Sequence, residues 1–275
     1  MAAARREPRE PRSDTPSRVL YAVPAIGFAL FIVLYGCLVF ALGLIGLGFA
    51  ALHEVYSMMR RVRPVDLVGF LALTGMVLAA LYGGDRQVLL VLVCAFPVAF
   101  VGSLLRPRRE NVSWAIAVTL FGALWIGLAM AHAVFLRELP EGLGLLIDVL
   151  VGTFIGDTFA YFGGRLYGRR PLAPGISPNK TLEGLIVGVV GGTAAFWFAG
   201  LYQDWLTHGE ALILGVAVAL AAPLGDLFES LIKRDLDVKD TGGLFGPHGG
   251  VLDRLDGVFF SVPVAFYVGL ALGLG

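Results

Sequence analysis

Long apolar stretches recur along this chain and leave little sequence between them. We find nine, which span residues 19–35, 37–58, 66–83, 87–105, 112–136, 143–163, 182–202, 210–231 and 257–274. A helix needs roughly 20 apolar residues to cross the hydrocarbon core of a bilayer. A helix also pairs its own backbone polar groups, which the core demands of any segment that spans it. The sequence therefore predicts an all-α, polytopic integral membrane protein with about nine transmembrane helices.

The composition agrees with a surface that faces lipid. Hydrophobic residues make up 57% of the chain and charged residues 15%, whereas a soluble domain carries about 25% charged residues. We interpret the arginines near the N-terminus as topology and headgroup charges rather than as a nucleic-acid surface. Membrane lipids are therefore expected around the protein, and no nucleic acid is expected as a partner.

Positive charges are unevenly distributed over the loops. If the loops are assigned alternately to two sides, starting at the N-terminus, 19 of the 21 Lys and Arg residues fall on the first side. Arg86 and Arg137 fall on the second. Because cytoplasmic loops carry an excess of Lys and Arg, we expect a cytoplasmic N-terminus and a C-terminus outside. The expected location is the inner (plasma) membrane, with the active site on the cytoplasmic face.

Polar content divides the chain into three regions. Residues 1–18 are rich in Arg, Pro and Glu without apolar periodicity, which predicts a disordered cytoplasmic tail. Residues 19–136 carry few chemical groups, and we interpret them as a transmembrane scaffold. Within it, we interpret His53 and Glu54 as an interfacial anchor, with a supporting role at a lipid headgroup as the alternative. Residues 137–275 form the predicted catalytic region.

The sixth span contains a carboxylate, Asp157, well inside an apolar segment. A charge at that depth is costly unless it faces a wet cavity or a partner, so a functional role is the first hypothesis. Tyr161 and Arg165 follow at i+4 and i+8, on about the same helix face. The alternative is a structural aspartate that is hydrogen-bonded to a neighbouring helix.

A proline-rich basic loop at 164–181 leads into the seventh span. Ser177, Lys180, Thr181 and Glu183 lie where that helix begins. Hydroxyls and a lysine at a helix N-terminus are suited to binding phosphate. Thr181 with Glu183 nearby is also compatible with ordinary helix capping.

Charges, glycines and a histidine are concentrated in residues 225–257. At the inner end of the eighth span, four polar residues share one helix face at spacings i, i+3, i+4 and i+7. They are Asp226, Glu229, Ser230 and Lys233. The loop 241–250 has five glycines, which let backbone N–H groups converge on an anion. Asp253 and Asp256 then share a face in the first turn of the ninth span, and such paired carboxylates suit Mg²⁺. A hydrated loop with ordinary charges is the alternative, but it does not account for the glycines.

These motifs together resemble the signature of the phosphatidate cytidylyltransferase (CDP-diacylglycerol synthase) family. The resemblance rests on residues 230–240 and 248–256, and on two upstream blocks at 157–165 and 177–184. It departs from the family at Asn179, where lysine is commoner, and in the order Gly246-Pro247 before the histidine. It covers residues 150–260 well, whereas the first five spans agree mainly in hydropathy.

The resemblance implies that CTP and phosphatidate react to give CDP-diacylglycerol and pyrophosphate. It implies Mg²⁺ as cofactor, with a second cation left open, and Asp226, Asp253 and Asp256 as metal ligands. The expected catalytic residues are Asp226, Lys239, Asp240, Asp253, Arg254 and Asp256. The expected substrate-binding residues are Asp157, Tyr161, Arg165, Ser177, Lys180, Thr181, Glu183, Ser230, Lys233, Arg234, His248, Gly249 and Gly250. A homodimer is also suggested. The alternatives are a CTP-dependent polyprenol or phytol kinase and, from another class, a transporter of anionic solutes.

Overall fold

The structure, a computed structural model, is a bundle of helices. It describes residues 15–107, 110–238, 241–242 and 249–274, with side chains from residue 23 onward. The first six helices are α1 (Thr15–Tyr35), α2 (Cys37–Met58), α3 (Asp66–Tyr82), α4 (Asp85–Leu104), α5 (Val112–Gly122) and α6 (Leu128–Glu138). The others are α7 (Gly142–Tyr167), α8 (Leu182–Gly200), α9 (His208–Asp235), α10 (Leu252–Leu255) and α11 (Val258–Ala271). A short 3-10 turn follows α2 at Arg60–Val62.

Seven helical segments of the described residues are long and apolar enough to cross a membrane. They are Cys37–Met58, Asp85–Leu104, Val112–Glu138, Gly142–Tyr167, Leu182–Gly200, His208–Asp235 and Leu252–Ala271. Two shorter apolar helices, Val23–Tyr35 and Asp66–Tyr82, coincide with the other two predicted spans. The prediction of an all-α, multi-pass membrane protein is confirmed at this level, and the count of nine stays a prediction.

The basic loop before α8 contains a small β-hairpin that was not expected. Strand β1 (Pro171–Ala173) pairs antiparallel with β2 (Ser177–Thr181), with Pro171 opposite Thr181. Proline is tolerated in such a short, two-stranded edge arrangement because few ladder hydrogen bonds are lost. The hairpin presents the residues just before α8 at a defined place beside the bundle.

The apolar core lies between α2, α3 and the α5–α6 segment. Leu52, Leu73 and Ile126 are fully buried there. A π-helical segment, Ala123–Gly127, joins α5 to α6. Its Trp125 packs edge-on against Phe228 of α9, with ring centroids 4.8 Å apart. The N-terminal helices are thereby packed directly against the helix that carries Asp226, Ser230, Lys233 and Arg234.

Helices α7 and α8 contact each other almost backbone to backbone. A Cβ atom added at Gly192 would lie 2.9 Å from the carbonyl oxygen of Gly152, and one at Gly156 would lie 3.3 Å from the Cα of Gly192. Small residues four apart allow this close approach of membrane helices. The contact holds the end of α7, with Asp157, beside the hairpin and the start of α8.

A second close contact brings α9 to the segment between α10 and α11. A Cβ atom at Gly225 would collide with the carbonyl oxygen of Asp256, so only glycine permits this approach. Pro223, inside α9, lacks the N–H that would continue the helix ladder at that level. Asp226 therefore lies next to Asp256 although 30 residues separate them in sequence.

Candidate active site

Three carboxylates meet at one end of the bundle. Asp226 and Glu229 lie one turn apart on α9, and Asp256 lies between α10 and α11. One oxygen atom of each lies within 4.8 Å of the others. We refer to these three residues as the acidic cluster. Hard divalent cations prefer carboxylate oxygens, so the donor set fits Mg²⁺.

Two lysines lie against the acidic cluster from different sides. Lys180 Nζ, from β2, lies 2.6 Å from Asp226 Oδ2. Lys233 Nζ, from α9, lies 3.3 Å from Glu229 Oε1. Glu229 is 1% exposed, and a carboxylate buried so deeply requires such a partner. The lysines offset part of the negative charge of the three carboxylates.

Asp253 lies beside the acidic cluster and is surrounded by donors. Its Oδ1 accepts from Lys233 Nζ at 2.8 Å. Its Oδ2 accepts from the backbone N–H of Thr241 at 3.2 Å, the Thr241 hydroxyl at 2.9 Å and the N–H of Gly250 at 2.8 Å. Asp253 therefore joins the two ends of the loop 241–250. Its role as a metal ligand stays a prediction, and Glu229 is the third member of the cluster in this structure.

Asp157 approaches the same region from α7. Its carboxylate interacts electrostatically with Asp256, Asp226 and Lys180. It is exposed, and within the described part of the chain it has no hydrogen bond or ion pair. One turn earlier, Thr153 donates to Ser261 Oγ at 3.0 Å and ties α7 to α11. This part of α7 is thus held in place, while Asp157 itself stays available.

The predicted phosphate block adopts the hairpin and the start of α8. Thr181 is the N-cap of α8, and its hydroxyl accepts from the N–H of Gly184 at 3.1 Å. Glu183 Oε2 accepts from the backbone N–H groups of residues 169 and 170 at 2.9 and 3.1 Å. Thr181 thus caps the helix and Glu183 binds the preceding turn, as in the capping alternative considered for these two residues. Of this block, Lys180 is the residue that reaches the acidic cluster.

The end of α9 is fixed to the hairpin. Arg234 Nε donates to the carbonyl oxygen of Ile176 at 3.0 Å. On the same helix, the Ser230 hydroxyl donates to Asp226 Oδ1 at 3.4 Å. These contacts set the position of Lys180 relative to Asp226.

Of the other predicted residues, those that the structure describes lie outside the acidic cluster. Arg165 donates to the Tyr161 hydroxyl at 3.2 Å on an exposed face of α7. Ser177 begins β2, and Arg254 is exposed in α10. Gly249 has a φ of +80°, a conformation that glycine adopts without strain. Lys239, Asp240 and His248 lie outside the described residues.

Glu54 joins the site although it was assigned to the scaffold. It is 6% exposed and accepts from the backbone N–H groups of Val251 and Leu252. The interpretation of Glu54 as an interfacial anchor is therefore wrong. The adjacent His53 is exposed, because consecutive residues point about 100° apart around a helix. An isolated acid in an apolar span was the available signal.

Comparison with known proteins identifies the family. The chain matches the Cytidylyltransferase family over residues 16–272. It is 37% identical over 160 residues to a phosphatidate cytidylyltransferase of Mycobacterium leprae, covering 58% of this chain and about half (51%) of that protein. It is 30% identical over 292 aligned residues to that of Mycobacterium bovis, covering 96% of this chain and 94% of the relative. The enzyme of that name from Bacillus subtilis is 30% identical over 262 residues, covering 93% of this chain and 97% of the relative. The resemblance inferred from the motifs is confirmed, and the chain belongs to the cytidylyltransferase family.

Proposed function

We propose that this protein is a phosphatidate cytidylyltransferase, which converts CTP and phosphatidate into CDP-diacylglycerol and pyrophosphate. The observation that carries the proposal is the acidic cluster flanked by Lys180 and Lys233, in a chain of this family. Two anionic reactants need positive charge and alignment more than they need an activated nucleophile.

The proposed reaction is a single displacement that forms no covalent intermediate with the enzyme. A phosphate oxygen of phosphatidate bonds to the α-phosphorus of CTP. The bond from that phosphorus to the oxygen bridging it to the β-phosphate breaks, and pyrophosphate leaves with the electron pair. A phosphate monoester has a second pKa of about 6, so the attacking oxygen is already ionised near neutral pH. Neither a serine nor a cysteine nucleophile is required.

The basic and acidic side chains have different roles in this proposal. Lys180 and Lys233 bind and orient phosphate oxygens through charge-assisted hydrogen bonds. Asp226, Glu229 and Asp256 would hold Mg²⁺, which when bound neutralises triphosphate charge. Asp157, which interacts with Asp226, Asp256 and Lys180, is the residue best placed to bind a second cation or to pair with a basic residue deeper in the site.

We further propose nine membrane spans, with the N-terminus and the active site on the cytoplasmic side of the inner membrane. The ends of α2, α7 and α9 and the starts of α8 and α10 all contribute to the site, through pairs such as Glu54–Val251 and Lys180–Asp226. This alternation of ends and starts supports the alternating topology. It also agrees with the side on which the Lys and Arg residues are concentrated. CTP is a cytoplasmic solute, and phosphatidate would enter sideways from the inner leaflet. A homodimer remains a prediction.

Topology has a direct test in the position of the C-terminus. With nine spans, a reporter fused after Gly275 should be active only outside the cytoplasm. A second fusion, after Gly168 in the basic loop, should report from the cytoplasm. A cytoplasmic signal from the fusion after Gly275 would contradict the proposed topology.

The by-product of the reaction tests the proposed activity. Purified protein in micelles with phosphatidate and Mg²⁺ should transfer label from [α-³²P]CTP into lipid, and label from [γ-³²P]CTP should leave as pyrophosphate. EDTA should abolish both signals, and added Mg²⁺ should restore them. In a parallel assay with a polyprenol or phytol in the micelles, release of CDP with γ-label in that alcohol would show the kinase instead. Solute uptake into proteoliposomes without CTP would favour the transporter.

A further inference from the structure

One carboxylate of the N-terminal helices reaches the start of α10. Glu54 Oε1 accepts the N–H of Val251 at 2.9 Å, and Oε2 accepts the N–H of Leu252 at 2.9 Å. Each carboxylate oxygen therefore pairs with one of two consecutive backbone donors. These donors lie just ahead of Asp253, where the short helix has no intrahelical acceptor for them.

The same carboxylate also contacts the other end of the loop. The Thr241 hydroxyl oxygen lies 3.1 Å from Glu54 Oε2 and 2.9 Å from Asp253 Oδ2. Thr241 therefore lies between the two acids, with one hydroxyl proton to share. Through Thr241 and residues 251–252, Glu54 holds both ends of the loop 241–250 against α2.

Two glycines are required by this arrangement. A Cβ atom at Gly242 would lie 2.5 Å from Glu54 Oε1, and a Cβ atom at Gly250 would collide with Glu54 Oε2 and the Thr241 hydroxyl. Any larger residue at either position would push the carboxylate away. The presence of glycine at these two positions is therefore explained by the close approach of Glu54 and does not require phosphate binding.

We propose that Glu54 is a positioning residue for the nucleotidyl transfer. By fixing Thr241 and the start of α10, it sets where Asp253 and Asp256 lie relative to Asp226 on α9. Burial of a carboxylate is unfavourable unless hydrogen bonds offset the lost hydration. Here those hydrogen bonds come from the backbone segment that carries Asp253 and Asp256. The effect on catalysis rests on the proposed function, whereas the contact itself does not.

The test replaces Glu54 with glutamine. Glu54→Gln keeps the size but turns one acceptor oxygen into an NH₂ group, so one of the two backbone N–H groups faces a donor. Hydrogen–deuterium exchange of the peptide containing residues 250–252 should become about tenfold faster or more, measured without substrates. The kcat should fall by about 10- to 100-fold, the usual range for residues that orient metal ligands. The KM for phosphatidate should stay unchanged, because Glu54 contacts the backbone of residues 251–252 and is not among the residues proposed to bind that substrate.

The matched control is Leu52→Ala, on the same helix and fully buried in the wild type. It should lower the melting temperature in detergent at least as much as Glu54→Gln. It should leave exchange at residues 250–252 and the kcat of the folded protein unchanged. Wild-type exchange in Glu54→Gln would overturn the proposal, as would a loss of kcat that Leu52→Ala reproduces. If neither wild type nor variant makes CDP-diacylglycerol, the activity proposal fails, and exchange still decides whether Glu54 holds the loop.

Discussion

Replacing Asp226 or Asp256 with asparagine is expected to lower kcat for CDP-diacylglycerol synthesis by about 1,000-fold, since charge stabilisation by a bound metal is worth several kcal/mol. Each substitution removes one negative charge from the acidic cluster and leaves an amide of the same shape. Asp226→Asn also removes the ion pair with Lys180. Both variants should remain folded, because the loop contacts of Glu54 and Asp253 do not involve either residue.

Steady-state kinetics with labelled CTP measures this effect, and electron paramagnetic resonance of added Mn²⁺ measures cation binding independently of turnover. Both variants should bind Mn²⁺ more weakly than the wild type. The control is Asp235→Asn, an exposed aspartate at the end of the same helix, which should leave both quantities unchanged. Full activity in Asp226→Asn and Asp256→Asn would remove the acidic cluster from the mechanism.

Asp253→Asn is expected to abolish activity by a different route. Asp253 Oδ1 accepts from Lys233, and Oδ2 accepts from the N–H and hydroxyl of Thr241 and the N–H of Gly250. The Glu229 carboxyl is a further hydrogen-bond neighbour of Asp253. The NH₂ group of asparagine must therefore face either the lysine or the backbone donors. Leaving a buried charge or donor unpaired costs about 1–3 kcal/mol or more, so the loop 241–250 should loosen as activity is lost.

Hydrogen–deuterium exchange separates this route from loss of a metal ligand. In Asp253→Asn, exchange at residues 241–242 and 249–252 should increase, whereas in Asp256→Asn it should match the wild type. If Asp253 is also a metal ligand, as its motif suggests, its variant should lose Mn²⁺ binding as well. An active Asp253→Asn protein with an unchanged loop would contradict both roles.

The sequence allowed prediction of the features that depend on local pattern. Apolar spans gave the multi-pass architecture, whereas the orientation inferred from Lys and Arg stays a prediction. The polar face of α9 was recognised from the spacing of Asp226, Glu229 and Lys233, and these residues do meet at the site. The motifs between 157 and 256 were specific enough to give the family.

What escaped prediction depends on contacts between distant segments. Nothing in the local sequence links Glu54 to Val251, which are 197 positions apart. Glu229 was recognised on the polar face, but its place beside Asp256 depends on the glycine contact at Gly225. The hairpin was not predicted because its segment contains prolines, which normally argue against strands. The π-helical segment at 123–127 was not predicted either, because its hydropathy is the same as that of an ordinary apolar helix.

The long separation between Glu54 and its partners has a consequence for biosynthesis. Helix α2 leaves the ribosome long before residues 251–252 exist, and translation of the intervening chain at about 5–20 residues per second takes roughly 10–40 s. During this interval the carboxylate of Glu54, close to the end of α2, lacks the backbone donors it has in the finished protein. The two ends of the loop cannot be fixed to α2 until residues 251–252 have been made, so nascent chains that stall earlier lack the contacts that hold Asp253 in place.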